Sequence, residues 1–183
     1  MSIVPTLRRR QFVTSAVSAA AAAAIPTRLM ATGATQSPVP RRDDKSTALS
    51  PYLLFDGSCA KAMQFYQSVF GGELKITKVK DSQARGQMPA SLQDGVLNAH
   101  LGGGGIDMSA SDWLRPSETR VRGNSVCLYL SGGTLPHLKA LFEKLSAGAE
   151  VTDPLKEQSY GAYGALNDNF GVRWMFWTDE KGA

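Results

Sequence analysis

The 183-residue chain contains two histidines, and one of them, His100, stands seven positions before Asp107 across the run Gly102-Gly103-Gly104-Gly105. If the four glycines form a hairpin loop, Leu101 faces Ile106, His100 lies directly across from Asp107, and Asn98 lies across from Ser109. Leu97, Ala99 and Leu101 then share an apolar face with Ile106, Met108 and Ala110. The other face carries a polar row. A carboxylate beside an imidazole raises its basicity and fixes its tautomer, which is the minimum needed for acid–base work. The same pair can equally hold a hairpin together or touch a ligand, and residue type leaves these three roles open.

Further candidates lie near the C-terminus. Arg173, Met175 and Trp177 alternate with Trp174 and Phe176, as on a strand with two unlike faces. Arg173 suits a bidentate contact to an anion, or an ion pair with Asp168 or Glu157. Trp113, Tyr160 and Tyr163 offer flat walls for a pocket or ordinary core aromatics. The glycine run lacks the Lys-Ser/Thr and helix start of a phosphate cradle, so it reads as a hairpin turn. Cys59 and Cys127 are too few for a disulfide framework, and no Cys–His or Ser–His–Asp arrangement follows from the spacing.

The elements that must position these residues recur in one order. Residues 52–55 form a short apolar strand, followed by Asp56-Gly57 and by Ser58 as expected N-cap. Ala62, Met63, Tyr66, Val69 and Phe70 then give a helical stripe that ends at Gly71-Gly72. Strands are expected over 74–79, 96–101 and 106–111, with a loop over 81–95. The order repeats with a strand at 126–130, Thr134 as N-cap and Pro136 in the first helical turn. A stripe through Leu138, Leu141 and Leu145 follows, then strands at 163–167 and 172–177. His137 is expected to face solvent. Shifting the first helix by 75 positions places Met63 on Leu138, Tyr66 on Leu141 and Phe70 on Leu145. Two copies of strand–helix–three strands predict an α+β fold.

Composition excludes several partners. The formal net charge is +4, which hints at nucleic acid. Four of the 20 basic residues, Arg8, Arg9, Arg10 and Arg28, fall in residues 1–34, where there is no acid. The remaining chain therefore balances its 16 acidic residues with as many basic ones, and neither nucleic acid nor a polybasic membrane contact is expected. No apolar run reaches the roughly 18 residues of a membrane span. Residues 1–34 read as an export leader: Arg9-Arg10-Gln11-Phe12-Val13, a mild alanine-rich run, Pro26 and the small residues Ala31-Thr32-Gly33-Ala34. The segment resembles a twin-arginine signal, which implies a periplasmic or otherwise exported protein. Arg8 and Thr14 depart from the usual motif. Residues 35–50 read as a flexible linker.

The segment Pro51-Tyr52-Leu53-Leu54-Phe55-Asp56-Gly57, then Ala62, Phe65-Tyr66 and Phe70-Gly71-Gly72-Glu73, resembles the opening of the vicinal-oxygen-chelate superfamily. That superfamily includes glyoxalases, bleomycin-resistance proteins and extradiol dioxygenases. Tyr160-Gly161-Ala162-Tyr163-Gly164 and Asp168-Asn169-Phe170-Gly171-Val172-Arg173-Trp174 match its PhnB-like branch, with Tyr160 where Trp is usual and Asn169 where Pro is usual. The resemblance covers residues 51–178, as modules of about 51–115 and 124–178. It implies paired βαβββ modules forming an eight-stranded, incompletely closed sheet around a cavity, commonly in a homodimer.

Superfamily enzymes place metal ligands on the first and last strand of each module. Carried over, these positions are Pro51, a residue near Asp107, Asn124 or Ser125, and Met175. Of these only Asp107 is a conventional hard ligand, and Met suits soft metals such as Cu(I). The usual divalent metal site is therefore expected to be absent, and no cofactor is expected. The chain also shows no glycine-rich loop between a first strand and a helix of a Rossmann-like unit, which counts against the methyltransferase labels attached to this branch. The leading expectation is an exported small-molecule-binding protein that holds its ligand through Asn98, His100, Asp107, Trp113, Tyr160, Arg173 and Met175. The alternative is a lyase or dioxygenase-like enzyme with a non-standard metal, or with His100 and Asp107 as an acid–base pair. A third reading is copper handling by Met175, Met108 and His100.

Overall fold

The computed structural model describes residues 47–181. The expected leader and most of the expected linker lie outside them. The described residues form the duplicated order read from the sequence. The first copy is β1 (Tyr52–Phe55), α1 (Cys59–Phe70), β2 (Glu73–Lys78), β3 (Val96–Gly103) and β4 (Ile106–Asp112). The second is β5 (Leu128–Ser131), α2 (Leu135–Leu145), β6 (Glu150–Gln158), β7 (Gly161–Asn167) and β8 (Arg173–Thr178). Three short 3-10 turns occupy the segment expected as a loop. The strands make two four-stranded mixed sheets, ordered β1-β4-β3-β2 and β5-β8-β7-β6, and they do not close into a barrel. In each sheet the first strand of the module is an edge, paired in parallel with the last.

The helical stripe does what its spacing demands. Ala62, Met63, Tyr66 and Val69 of α1 are buried, facing Phe55, Ala99, Leu101, Met108 and Ala110 of the first sheet. The same core continues into the second module through Leu138, Leu145, Leu166, Trp174 and Phe176. Tyr66 meets Trp174 edge-on at 5.6 Å, and Phe70 lies 5.5 Å from the same indole. Between the modules sits the Asp168 carboxylate, 4% exposed. It accepts hydrogen bonds from Tyr66 Oη (2.7 Å), Trp174 Nε1 (2.8 Å) and the backbone N–H groups of Phe170 and Val172 (2.9 Å each). Four donors satisfy the buried charge without a cation. Burial and the adjoining carboxylate both push the Tyr66 phenol upward.

Two details differ from the sequence reading. The β3–β4 turn uses two residues, not four. Gly103 pairs with Ile106, and Gly104 and Gly105 turn at φ 63° and 86°. Positive φ at both central positions gives a turn whose twist matches that of the strands, and glycine adopts it without a Cβ clash. The pairing therefore slides by two: His100 faces Ser109, and Asp107 faces Gly102. Because side chains alternate with period two, the slide leaves every residue on its expected face.

The second difference is at the helix starts. Ser58 makes no side-chain cap. Asp112, at the end of β4, supplies it from 53 residues away: Oδ1 accepts from Cys59 N (3.0 Å) and Oδ2 from Val96 N (2.8 Å). Thr134 does cap α2, accepting from His137 N at 3.3 Å, and the Glu180 carboxylate accepts from Leu135 N.

Candidate functional site

β8 alternates as its sequence requires. Trp174, Phe176 and Thr178 are buried, while Arg173, Met175 and Trp177 are half-buried on the opposite side of the sheet. The α2 ring Phe142 packs 5.0 Å from Phe176, so Arg173, Met175 and Trp177 lie on the face away from α2. Strand register fixes their neighbours. Arg173 lies opposite Asn167, which lies opposite Glu150, and Trp177 lies opposite Tyr163. Asn167 Nδ2 donates to Glu150 Oε2 at 2.9 Å. The Cys127 thiol touches Met175 Sδ at 3.0 Å. Tyr163 is raised from its ordinary pKa, first by partial burial and then by the Asp153 carboxylate, with the Arg173 charge opposing.

Arg173 makes no ion pair with Asp168 or Glu157. Asp168 is taken by the donors described above, and Glu157 lies 3.4 Å from Lys139 Nζ. Instead Arg173 lines a cleft of about 460 Å³ with Glu150, Asn167, Asn124, Leu53, Val126, Leu128 and Val172. The inter-module linker forms one wall of the cleft and is tied to β1 through Arg120. The Arg122 guanidinium lies so close over Gly171 that a Cβ there would collide with it. Arg120, its side chain 14% exposed, donates to Leu54 O at 3.3 Å and approaches Asp56.

A second cleft of about 500 Å³ is lined by Pro51, Asp107, Met108, Cys127, Tyr129 and Trp174, among others. Cys127 and Leu128 border both clefts. His100 reaches Asp107 diagonally, Nε2 to Oδ1 at 3.3 Å, although the two are not cross-strand partners. Gly102 makes this possible: a Cβ there would come within 2.9 Å of His100 Cε1. This glycine is needed for space. The pair is about two-fifths exposed.

The remaining sequence candidates are dispersed. Asn98 is exposed on β3 opposite Thr77. Trp113 turns to the linker, its Nε1 donating to Glu118 O at 3.0 Å with the Arg115 guanidinium 5.9 Å over its ring. Tyr160 is 60% exposed in the β6–β7 turn. Met108 is 2% exposed on the helix-facing side, so it cannot join His100 and Met175 around a copper ion. The structure thus brings Arg173 and Met175 to one face and His100 and Asp107 to the other module. The sequence reading missed Glu150, Asn167 and Asn124 as neighbours of Arg173. The alternation Tyr163-x-Ala165-x-Asn167 on β7 carried that signal.

The profile of the family described as "3-demethylubiquinone-9 3-methyltransferase" matches residues 47–176. The chain is 30% identical over 142 residues to Escherichia coli protein YjdN, an alignment that covers 69% of this chain and 92% of that one. It is similar to a Bacillus cereus structure described as a putative 3-demethylubiquinone-9 3-methyltransferase, PhnB protein, with TM-score 0.58, 22% identity, and coverage of 72% of this chain and 99% of that one. It is also similar to a glyoxylase/bleomycin resistance protein/dioxygenase domain from Frankia sp. EAN1pec, with TM-score 0.51, 18% identity, and coverage of 75% and 96%.

Proposed function

Because the chain belongs to the family described as 3-demethylubiquinone-9 3-methyltransferase, a PhnB-like branch of the glyoxalase/bleomycin-resistance/dioxygenase fold, we propose that it is an exported protein that binds a small molecule without a metal. The observation that carries this reading is Arg173: a half-buried guanidinium in a cleft of ligand size, with no ion pair among the described residues. It would hold an anionic group of the ligand by a bidentate contact.

The residues at the superfamily's metal positions do not fit a hard divalent cation. Pro51 has no side-chain donor, Asn124 and Ser125 are weak ligands, the Met175 thioether is soft and already touched by the Cys127 thiol, and Asp107 is left as the one hard ligand, beside His100. Among the described residues no three His, Cys, Asp or Glu side chains gather as a metal site would require.

Arg9-Arg10-Gln11-Phe12-Val13 supports export. Tyr52, Leu54 and Tyr129, each 40–54% exposed on the edge strands β1 and β5, support a homodimer in which a second copy covers them. No helix of the described residues is long and apolar enough to cross a membrane.

A thermal-shift screen of purified protein against small anionic metabolites, repeated on Arg173→Ala and His100→Ala, tests the site. The expected result is a ligand-dependent rise that Arg173→Ala removes. Ligands that shift wild type and Arg173→Ala alike would overturn it. Elemental analysis of the same preparation should show no stoichiometric metal, and finding one would end the metal-independent reading.

A further inference from the structure

Resting on that reading of the Arg173 cleft, we propose that its ligand is a zwitterion: a free α-amino acid with an aliphatic side chain. Among the described residues that line the cleft there is one cation, Arg173, and one anion, Glu150, with the Arg122 guanidinium adjoining over Gly171. They occupy the two ends of a single cross-sheet row, with Asn167 between them. Two strand spacings set their backbones about 10 Å apart. They form no ion pair with each other, so both charges remain available to a guest.

The hydrogen bonding gives the two ends opposite polarity. The Arg173 end offers only N–H donors, arranged in a fork that fits a carboxylate. At the Glu150 end, the Asn167 amide N–H is directed at Glu150 Oε2. What remains there for a guest is the second carboxylate oxygen and the Asn167 carbonyl oxygen, both acceptors, beside the second N–H of the same amide. Two free acceptors, one of them on a negatively charged carboxylate, call for an ammonium group. This end also discriminates against a plain carboxylic acid, which would gain Arg173 but bring its charge toward Glu150 unaccompanied. Leu53, Val126, Leu128 and Val172 supply the aliphatic part of the wall, beside Asn124 and Cys127. Branched aliphatic side chains of that kind match another aliphatic side chain by burial of apolar surface.

Calorimetric titration of the full chain at low ionic strength with three probes of one skeleton tests the proposal: L-leucine, 4-methylpentanoate (without the amine) and 3-methylbutylamine (without the carboxylate). Leucine should bind, and each truncated probe should bind at least about tenfold more weakly. In Glu150→Gln the preference for leucine over 4-methylpentanoate should collapse to about twofold, because an amide no longer repels the acid. Glu150 is exposed, so an unchanged melting curve confirms that this variant folds. Arg173→Gln should lose both leucine and 4-methylpentanoate.

If 4-methylpentanoate equals leucine in the wild type and Arg173→Gln loses both, the zwitterion proposal falls while the anion-binding cleft stands. If none of the three probes binds, the amino-acid proposal falls, and the cleft is judged by the wider metabolite screen. Leucine binding that survives Arg173→Gln unchanged overturns both.

Discussion

In the first module the leading N–H of α1 is accepted by Asp112, 7% exposed, at the end of β4. In the second, the leading N–H of α2 is accepted by Glu180, exposed and two residues beyond β8. Each copy thus caps its helix with a carboxylate from the far end of its own last strand, where negative charge also favours the helix N-terminus. The burial differs, and so does the workload. Asp112 also fixes the start of β3 through Val96 N, while α2 has Thr134 as a second cap. The outer sheet faces diverge as well, one with the His100–Asp107 pair and the other with Arg173, Asn167 and Glu150. The duplication kept topology and capping logic, and let the chemistry of the exposed faces drift apart.

The largest effect should come from the group both modules share. Asp168→Ala strands two side-chain donors and two backbone N–H groups in the core, and should cost about 3–5 kcal/mol by urea denaturation. If the loss is below about 1 kcal/mol, the modules are not tied through this carboxylate. Asp112→Ala should cost about 2–4 kcal/mol, since it leaves two buried N–H groups unpaired.

Alkaline titration sharpens the contrast further. The Cys59 thiol is pushed up to about 12, first by burial and then by the Asp112 carboxylate, from an ordinary value of 9.0. The unfolded chain therefore loses this proton before the folded one does. The thiol's contribution to stability is complete below pH 9 and is lost as pH rises from there toward about 12. Tyr66, also raised, acts in the same direction from about pH 10. Cys59→Ala should flatten the first part of the decline in a melting-temperature series. The smallest effect belongs to Glu180→Ala. At about 0.5–1 kcal/mol, it should fall well short of Asp112→Ala, because Glu180 itself is exposed, water can replace it, and Thr134 remains. Equal losses from the two carboxylates would erase the distinction drawn between the copies.

What could be read from the sequence was local and periodic. The α1 stripe, the Thr134 cap and the two faces of β8 all follow from residue spacing, and each is present. The Asp112 cap was illegible because its partner is 53 residues away in the chain, and Ser58 satisfied every local criterion for the role. The four glycines disguised a two-residue turn, since each can serve as strand or loop. β6 was hidden for the opposite reason. Glu150–Gln158 reads EVTDPLKEQ, polar and interrupted by Pro154, as suits an edge strand with two irregularities in its pairing. Without β6 in place, Glu150 could not be set beside Arg173. The polar end of the cleft therefore stayed out of view.

The bond from Tyr66 to Asp168 has a consequence for how such a repeat can age. A single βαβββ unit standing alone would have to complete its own interior, or borrow from an identical neighbour. Here one half supplies the phenol and the other the carboxylate, so neither retains a finished centre. A chain severed in the connector should regain its fold only when both pieces are mixed, as read by circular dichroism of each piece alone and of the pair, because the phenol and the carboxylate then come from different pieces.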